Sequence, residues 1–164
     1  MARPTIMPAT LAHVAHVCAN LRPLDVAEVA AFHNVPPCAV PALIMDDMRT
    51  QMAADPANPC ALALVHNGRA LCIFGVRPLP DNPDAWFIWM VGTPHLSRVH
   101  LLRHGKQAVE QFLQTRRTLV AFVWHQHTVS LRWLNRLGFI IIATHKQHGK
   151  TFVIMIKEQK QCVM

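Results

Sequence analysis

The sequence predicts a mixed α/β fold: a mostly antiparallel sheet with helices on both faces. Three observations predict it. Residues 118–139, TLVAFVWHQHTVSLRWLNRLGF, read as strand, short helix, Gly-Phe and the start of another strand. Upstream, apolar runs at 60–65, 70–77 and 86–91 have strand character, and the first two flank an Asn-Gly pair. Between 86–91 and 118–124 lies an amphipathic helical stretch, which demands a crossover connection and so a parallel pair. Strands that alternate with helices in this way fit a sheet covered on both sides.

Taken in order, residues 1–8 form a short first strand or arm. Leu11–Leu21 has Leu11, Val14, Ala15, Val17, Cys18 and Leu21 at helical spacing, with Thr10 as N-cap. Pro23–Phe32 is a second helix, with Pro23 in its first turn and Asp25 and Glu28 placed well for its dipole. Pro36, Pro37 and Pro41 punctuate the chain before a helix at Ala42–Ala54, which Asp55–Pro59 stops. The hairpin Cys60–Val65 and Ala70–Arg77 turns at Asn67-Gly68. Pro78–Asp84 reads as a proline-rich loop, and Trp86–Val91 as an almost wholly apolar, central strand.

Gly92-Thr93-Pro94 ends that strand. Leu101–Leu113 puts Leu101, Leu102, Ala108, Val109, Phe112 and Leu113 on one helical face, with Gly105 as its weak spot. Thr118–Trp124 suits a strand covered on both faces, though a short buried helix would read the same way. Thr128 is the expected N-cap of the helix that carries Val129, Trp133, Leu134 and Leu137. Gly138 stands where a left-handed C′ residue belongs, and Phe139 where the apolar C″ contact folds back. Phe139–Ala143, a polar turn at Lys146–Lys150 and Thr151–Ile156 make a closing hairpin. The domain expected is 1–158, with 159–164 as a polar C-terminal tail.

Composition narrows the function. A chain of 164 residues makes one domain of ordinary size. It is 52% hydrophobic, yet has no apolar run long enough for a membrane span, and its first residues lack a signal-peptide core. Five cysteines without CxxC spacing read as reduced thiols. His125 and His127 are the closest histidine pair but lack a third ligand, so no metal is expected. Residues 1–97 hold five Arg/Lys and seven Asp/Glu, whereas 98–164 hold eleven and two. Such a basic half suits an anionic partner or a solvated face. A nucleic-acid partner would rest on that charge alone and is not expected.

Several segments, in order, carry a resemblance. They are Leu21-Arg22-Pro23-Leu24-Asp25-Val26-Ala27-Glu28-Val29, Ile73-Phe74-Gly75-Val76, Trp89-Met90-Val91-Gly92-Thr93, Leu131-Arg132-Trp133-Leu134 and Leu137-Gly138-Phe139. Together they resemble the GNAT superfamily of acetyl-CoA-dependent N-acetyltransferases. The nearest likeness is to the GNAT-like family of tailed phages, which includes a small internal virion protein of short-tailed phages. The resemblance implies a fourth strand splayed from the fifth, with the acyl-CoA arm along the fourth. Met90, Val91, Thr93, Ser97, Arg98 and Arg103 would then meet the cofactor, on a loop spanning Thr93–Leu101.

The superfamily's phosphate loop is glycine-rich, whereas Pro94–Leu101 has no glycine. Its tyrosine acid corresponds to Leu134 in a chain without tyrosine, and the asparagine that usually opens that helix is replaced by His127. His125 and His127 are left as the candidates for proton transfer. The implied partners are acyl-CoA and an amine acceptor. If the fold is kept only as a scaffold, the partner is a phage virion or host protein. The implied location is the cytoplasm of a bacterial host, or a virion.

Overall fold

The computed structural model describes residues 2–57 and 61–160. Its elements run β1 (Thr5–Pro8), α1 (Leu11–Ala19), α2 (Pro23–His33), a 3₁₀ turn (Pro37–Ala39), α3 (Val40–Ala54), β2 (Ala61–His66), β3 (Arg69–Leu79), β4 (Asn82–Gly92), α4 (Arg98–Leu113), β5 (Thr118–Trp124), α5 (Thr128–Arg136), β6 (Ile140–Gln147) and β7 (Lys150–Glu158). The strands hydrogen-bond in the order β1-β2-β3-β4-β5-β7-β6. The β4–β5 pair is parallel, as the crossover through α4 requires. The β1–β2, β2–β3, β5–β7 and β6–β7 pairs are antiparallel. The chain forms two compact units, Met1–Gly75 with Trp89–Arg98, and Val76–Ile88 with Val99–Met164.

In the first unit, Thr10 caps α1 through a reciprocal box. Its Oγ1 accepts from the His13 amide at 3.2 Å, and the His13 ring accepts from the Thr10 amide at 3.2 Å. Asn34, in the left-handed region at φ 53°, closes α2. The helix at 40–54 starts two residues earlier than expected, because Pro41 fits its first turn. Val14, Val17, Ile44 and Met48 from α1 and α3 pack on Ala63, Ala70 and Ile73 of β2 and β3. Asn67 and Gly68 both have positive φ, 49° and 74°, the backbone that a two-residue hairpin needs. Cys60, the expected start of β2, lies outside the described residues.

The second unit brings most of the corrections. The expected loop Pro78–Asp84 is strand at both ends, because β3 runs to Leu79 and β4 starts at Asn82. Pro78 and Pro83 lie beyond the β2 and β5 ladders, where a strand keeps one open edge and tolerates a residue without an N–H. The α4 helix starts at Arg98 and not at Leu101, so the loop before it is shorter than expected. Gly105 is a point of close approach. A Cβ there would lie 2.8 Å from Cζ2 of Trp133, whose indole N–H donates to the Leu101 carbonyl at 2.9 Å. The cap of α5 is His127, whose Nδ1 accepts from the Ser130 amide, and Thr128 is already helical.

At the other end of α5 the Gly-Phe expectation holds. Gly138 has φ 90°, its amide donates to Asn135 and the Phe139 amide donates to Leu134, both at 3.0 Å, the Schellman pattern. Phe139 is fully buried. The Lys157 ammonium donates to the Leu137 carbonyl, a cation on the negative end of the helix. The closing turn is only His148-Gly149, both at positive φ, because Lys146, Gln147 and Lys150 are paired strand residues. Strand β7 continues past Ile156 to Glu158.

Candidate functional site

Strand β4 is where the sheet changes character. Its ladder with β5 covers Ala85–Phe87 against Thr118–Val120, and β4 continues to Gly92. Backbone polar groups alternate between the two edges of a strand. Just past β4, the amide and the hydroxyl of Thr93 both donate to the Leu71 carbonyl of β3, at 2.9 and 3.1 Å. Gly92 therefore addresses the opposite edge, and so does the backbone of Met90. Val91 addresses the Leu71 side and is itself buried. Met90 thus presents an N–H and a C=O along an edge that the β5 ladder has left.

Gly92 is held by a device that sequence reasoning reduced to a helix-dipole effect. Asp25 Oδ2 accepts from the Gly92 amide at 2.8 Å, and the Arg22 amide donates to the Gly92 carbonyl at 2.9 Å. Arg22 in turn grips Asp25 with two parallel hydrogen bonds of 2.9 Å, Nε to Oδ2 and Nη2 to Oδ1. The Asp25 side chain is 2% exposed and that of Arg22 15%. The signal in the sequence was the Arg-Pro-x-Asp spacing, which places a guanidinium before a proline-started helix and a carboxylate in its first turn.

The loop after Gly92 is Thr93–Ser97. Thr93 is buried and engaged with Leu71, so it anchors the loop. The Leu96 amide donates to the Thr93 carbonyl at 3.1 Å, and the Leu96 side chain is buried. Ser97, Arg98 and Arg103 are exposed. The α4 helix opens at Arg98 with its first-turn amides outside the intrahelical ladder, and such a terminus favours anions. The field there is cationic. Burial, then His100, then Arg103 push the His104 imidazole below its ordinary pKa.

The two histidine candidates have different surroundings. His127 is 1% exposed; its Nδ1 accepts the Ser130 amide and its Nε2 lies 3.2 Å from the Ser130 hydroxyl. A ring that accepts through Nδ1 carries its proton on Nε2 when neutral, so this histidine serves as a helix cap. His125 is exposed, and its Nδ1 lies 3.0 Å from the Thr151 carbonyl. A carbonyl only accepts, so Nδ1 carries a proton, and in the neutral ring Nε2 then keeps a lone pair. Leu134, at the position matched to the superfamily's tyrosine, is buried and has no proton to give. Among the described residues, no three His, Cys, Asp or Glu side chains converge as metal ligands.

No family model matches the chain, and no curated protein is similar to it in sequence. Its architecture has clear counterparts among solved structures. One is yncA of Salmonella typhimurium, solved with its cofactor acetyl-CoA: 15% identity, 99% of this chain and 98% of that one covered, TM-score 0.65. A second is AAC(6')-Ib in complex with ribostamycin and coenzyme A: 12% identity, 96% and 94% covered, TM-score 0.74. A third is a GNAT-family protein of Desulfovibrio desulfuricans: 18% identity, 96% and 98% covered, TM-score 0.66. At such identities the likeness establishes the fold. The chain has the mixed, mostly antiparallel seven-stranded sheet of GNAT acetyltransferases.

Proposed function

We propose that this chain is an acyl-CoA-dependent N-acetyltransferase of the GNAT type. One observation carries the reading: β4 outruns its β5 ladder and offers the Met90 backbone along that edge, just before the basic start of α4. A pantetheine arm carries two amides, and a strand edge with an N–H and a C=O is their natural partner. The Met90 backbone would pair with the arm beside Val91. Thr93 would hold the loop in place, and Ser97, Arg98 and Arg103 would meet the phosphates, with side-chain charge in place of glycine amides.

When bound, acetyl-CoA supplies an activated thioester. The chain's part is to hold an acceptor amine in line for direct attack on the thioester carbon, and proximity contributes much of the rate. His125 Nε2 is the candidate to take the amine's proton. Leu134 has no proton to offer a departing thiolate, so that proton would have to come from solvent. Fold alone does not fix function, and Leu134 in a chain without tyrosine favours a second reading. There the chain is a non-catalytic scaffold whose partner is a phage virion or host protein.

Titration calorimetry of acetyl-CoA into the purified protein separates the two. The first reading expects a micromolar Kd, weakened by the pair Arg98→Ala and Arg103→Ala more for CoA than for dephospho-pantetheine. The absence of binding at millimolar acetyl-CoA favours the scaffold.

A further inference from the structure

We propose that Asp25 is a positioning residue for the acyl-CoA arm. Clamped by Arg22, it closes the edge of β4 that faces away from β3 at Gly92 and so fixes the Met90 backbone and the Thr93–Ser97 loop. The inference rests on the acetyltransferase reading above and extends it to the α1–α2 junction, far from the cofactor loop in sequence.

Gly92 and Met90 address the same edge of β4. Gly92 is met there by the Asp25 carboxylate and the Arg22 amide, at 2.8 and 2.9 Å. A ligand arm lying along this edge can therefore pair with Met90, and the next edge position is closed. The clamp acts as an end-stop that sets how far the arm runs before its phosphates turn toward α4.

The seat is tight on the Leu96 side. A Cβ on Gly92 would lie 2.9 Å from Leu96 Cδ2, 3.4 Å from Cys72 Cβ and 3.5 Å from Arg22 Nε. Leu96 belongs to the cofactor loop, so a shift at Gly92 is passed directly to it. Stability is a poor reason for such a pair. Desolvating two charges offsets most of their attraction, and apolar replacement of both partners is often neutral. What apolar side chains cannot supply is an acceptor aimed at the Gly92 amide and a guanidinium that locks the acceptor's angle.

The test compares CoA affinity with thermal stability in the wild type, Asp25→Asn, Arg22→Lys and the double variant Arg22→Met with Asp25→Leu. The single variants are expected to weaken CoA binding by about tenfold or more. Asp25→Asn also lowers the melting temperature, since it strands a buried cation. The double variant removes both charges and should regain much of that stability while its CoA affinity stays about tenfold down. Its Gly92 amide should exchange with solvent faster than in the wild type. Recovery of stability and affinity together would mean that the pair only supports the fold, and would overturn the role assigned to Asp25. If Asp25→Asn does not fold, the double variant and Arg22→Lys carry the comparison. Failure of the wild type to bind CoA is a separate result, which removes the acetyltransferase reading itself.

Discussion

Gly105 illustrates how one hydrogen atom in place of a side chain sets the packing of two helices. In an exposed helix interior, glycine to alanine is stabilising by about 1 kcal/mol through backbone entropy. Here the Trp133 ring lies over the position a Cβ would take, and the indole is tethered to the Leu101 carbonyl. Overpacking of this kind costs about 1–3 kcal/mol, so the clash outweighs the propensity gain. Gly105→Ala is expected to lower the denaturant midpoint and to blue-shift or broaden the emission of Trp133. An unchanged or raised midpoint would show that the ring slides aside at no cost. The sequence revealed the glycine but not its partner, because residues 105 and 133 meet only once α4 and α5 are folded.

At the scale of elements, the end of α5 was legible because its signal is local. Left-handed φ, a buried Phe139 and two nested amide bonds all follow from Leu-Gly-Phe placed after an amphipathic turn. Gly138→Val is expected to cost more than about 1 kcal/mol, the left-handed penalty for a β-branched residue. The new Cβ also stands 3.4 Å from the Lys157 ammonium that caps the same helix. A urea melt indistinguishable from the wild type would contradict this. The start of α5 differs from the expected Thr128 cap for an equally physical reason. Thr128 and His127 can both offer an acceptor, and only tertiary burial of the imidazole decides between them. The proline segment 78–84 misled because proline is tolerated where a strand edge is open, and edges are a property of the whole sheet.

For the molecule as a whole, the buried thiols give a pH signature. Burial pushes Cys72 up to about 12 and Cys18 up to about 11, against an ordinary value of 9.0. A group whose folded pKa is raised stabilises fully below its unfolded pKa, and that contribution is lost as pH rises toward the folded one. The melting temperature is therefore expected to fall between pH 9 and about 11–12, beyond any loss seen in a Cys18→Ala, Cys72→Ala variant. Equal alkaline loss in that variant would assign the effect elsewhere. Native labelling should modify the exposed Cys38 well before Cys18 or Cys72. Sheet composition, helix count and the parallel crossover were all readable from periodicity. The grip of the Arg22–Asp25 pair on Gly92 was not, because it joins positions 67 residues apart and the Arg-Pro-x-Asp spacing marks only the local pair.

The strand order β5-β7-β6 has a consequence in time. β7, the last strand in sequence, lies between two strands made before it and pairs with both along nearly its whole length. Until residue 158 has left the ribosome, β5 lacks the neighbour that covers its second edge, and β6 has no strand partner. The waiting segments include Leu119–Val123 and the isoleucines 140–142, which remain 54–62% exposed even in the finished sheet. A nascent chain stalled before β7 would therefore present apolar edges of the kind that chaperones hold and aggregates recruit.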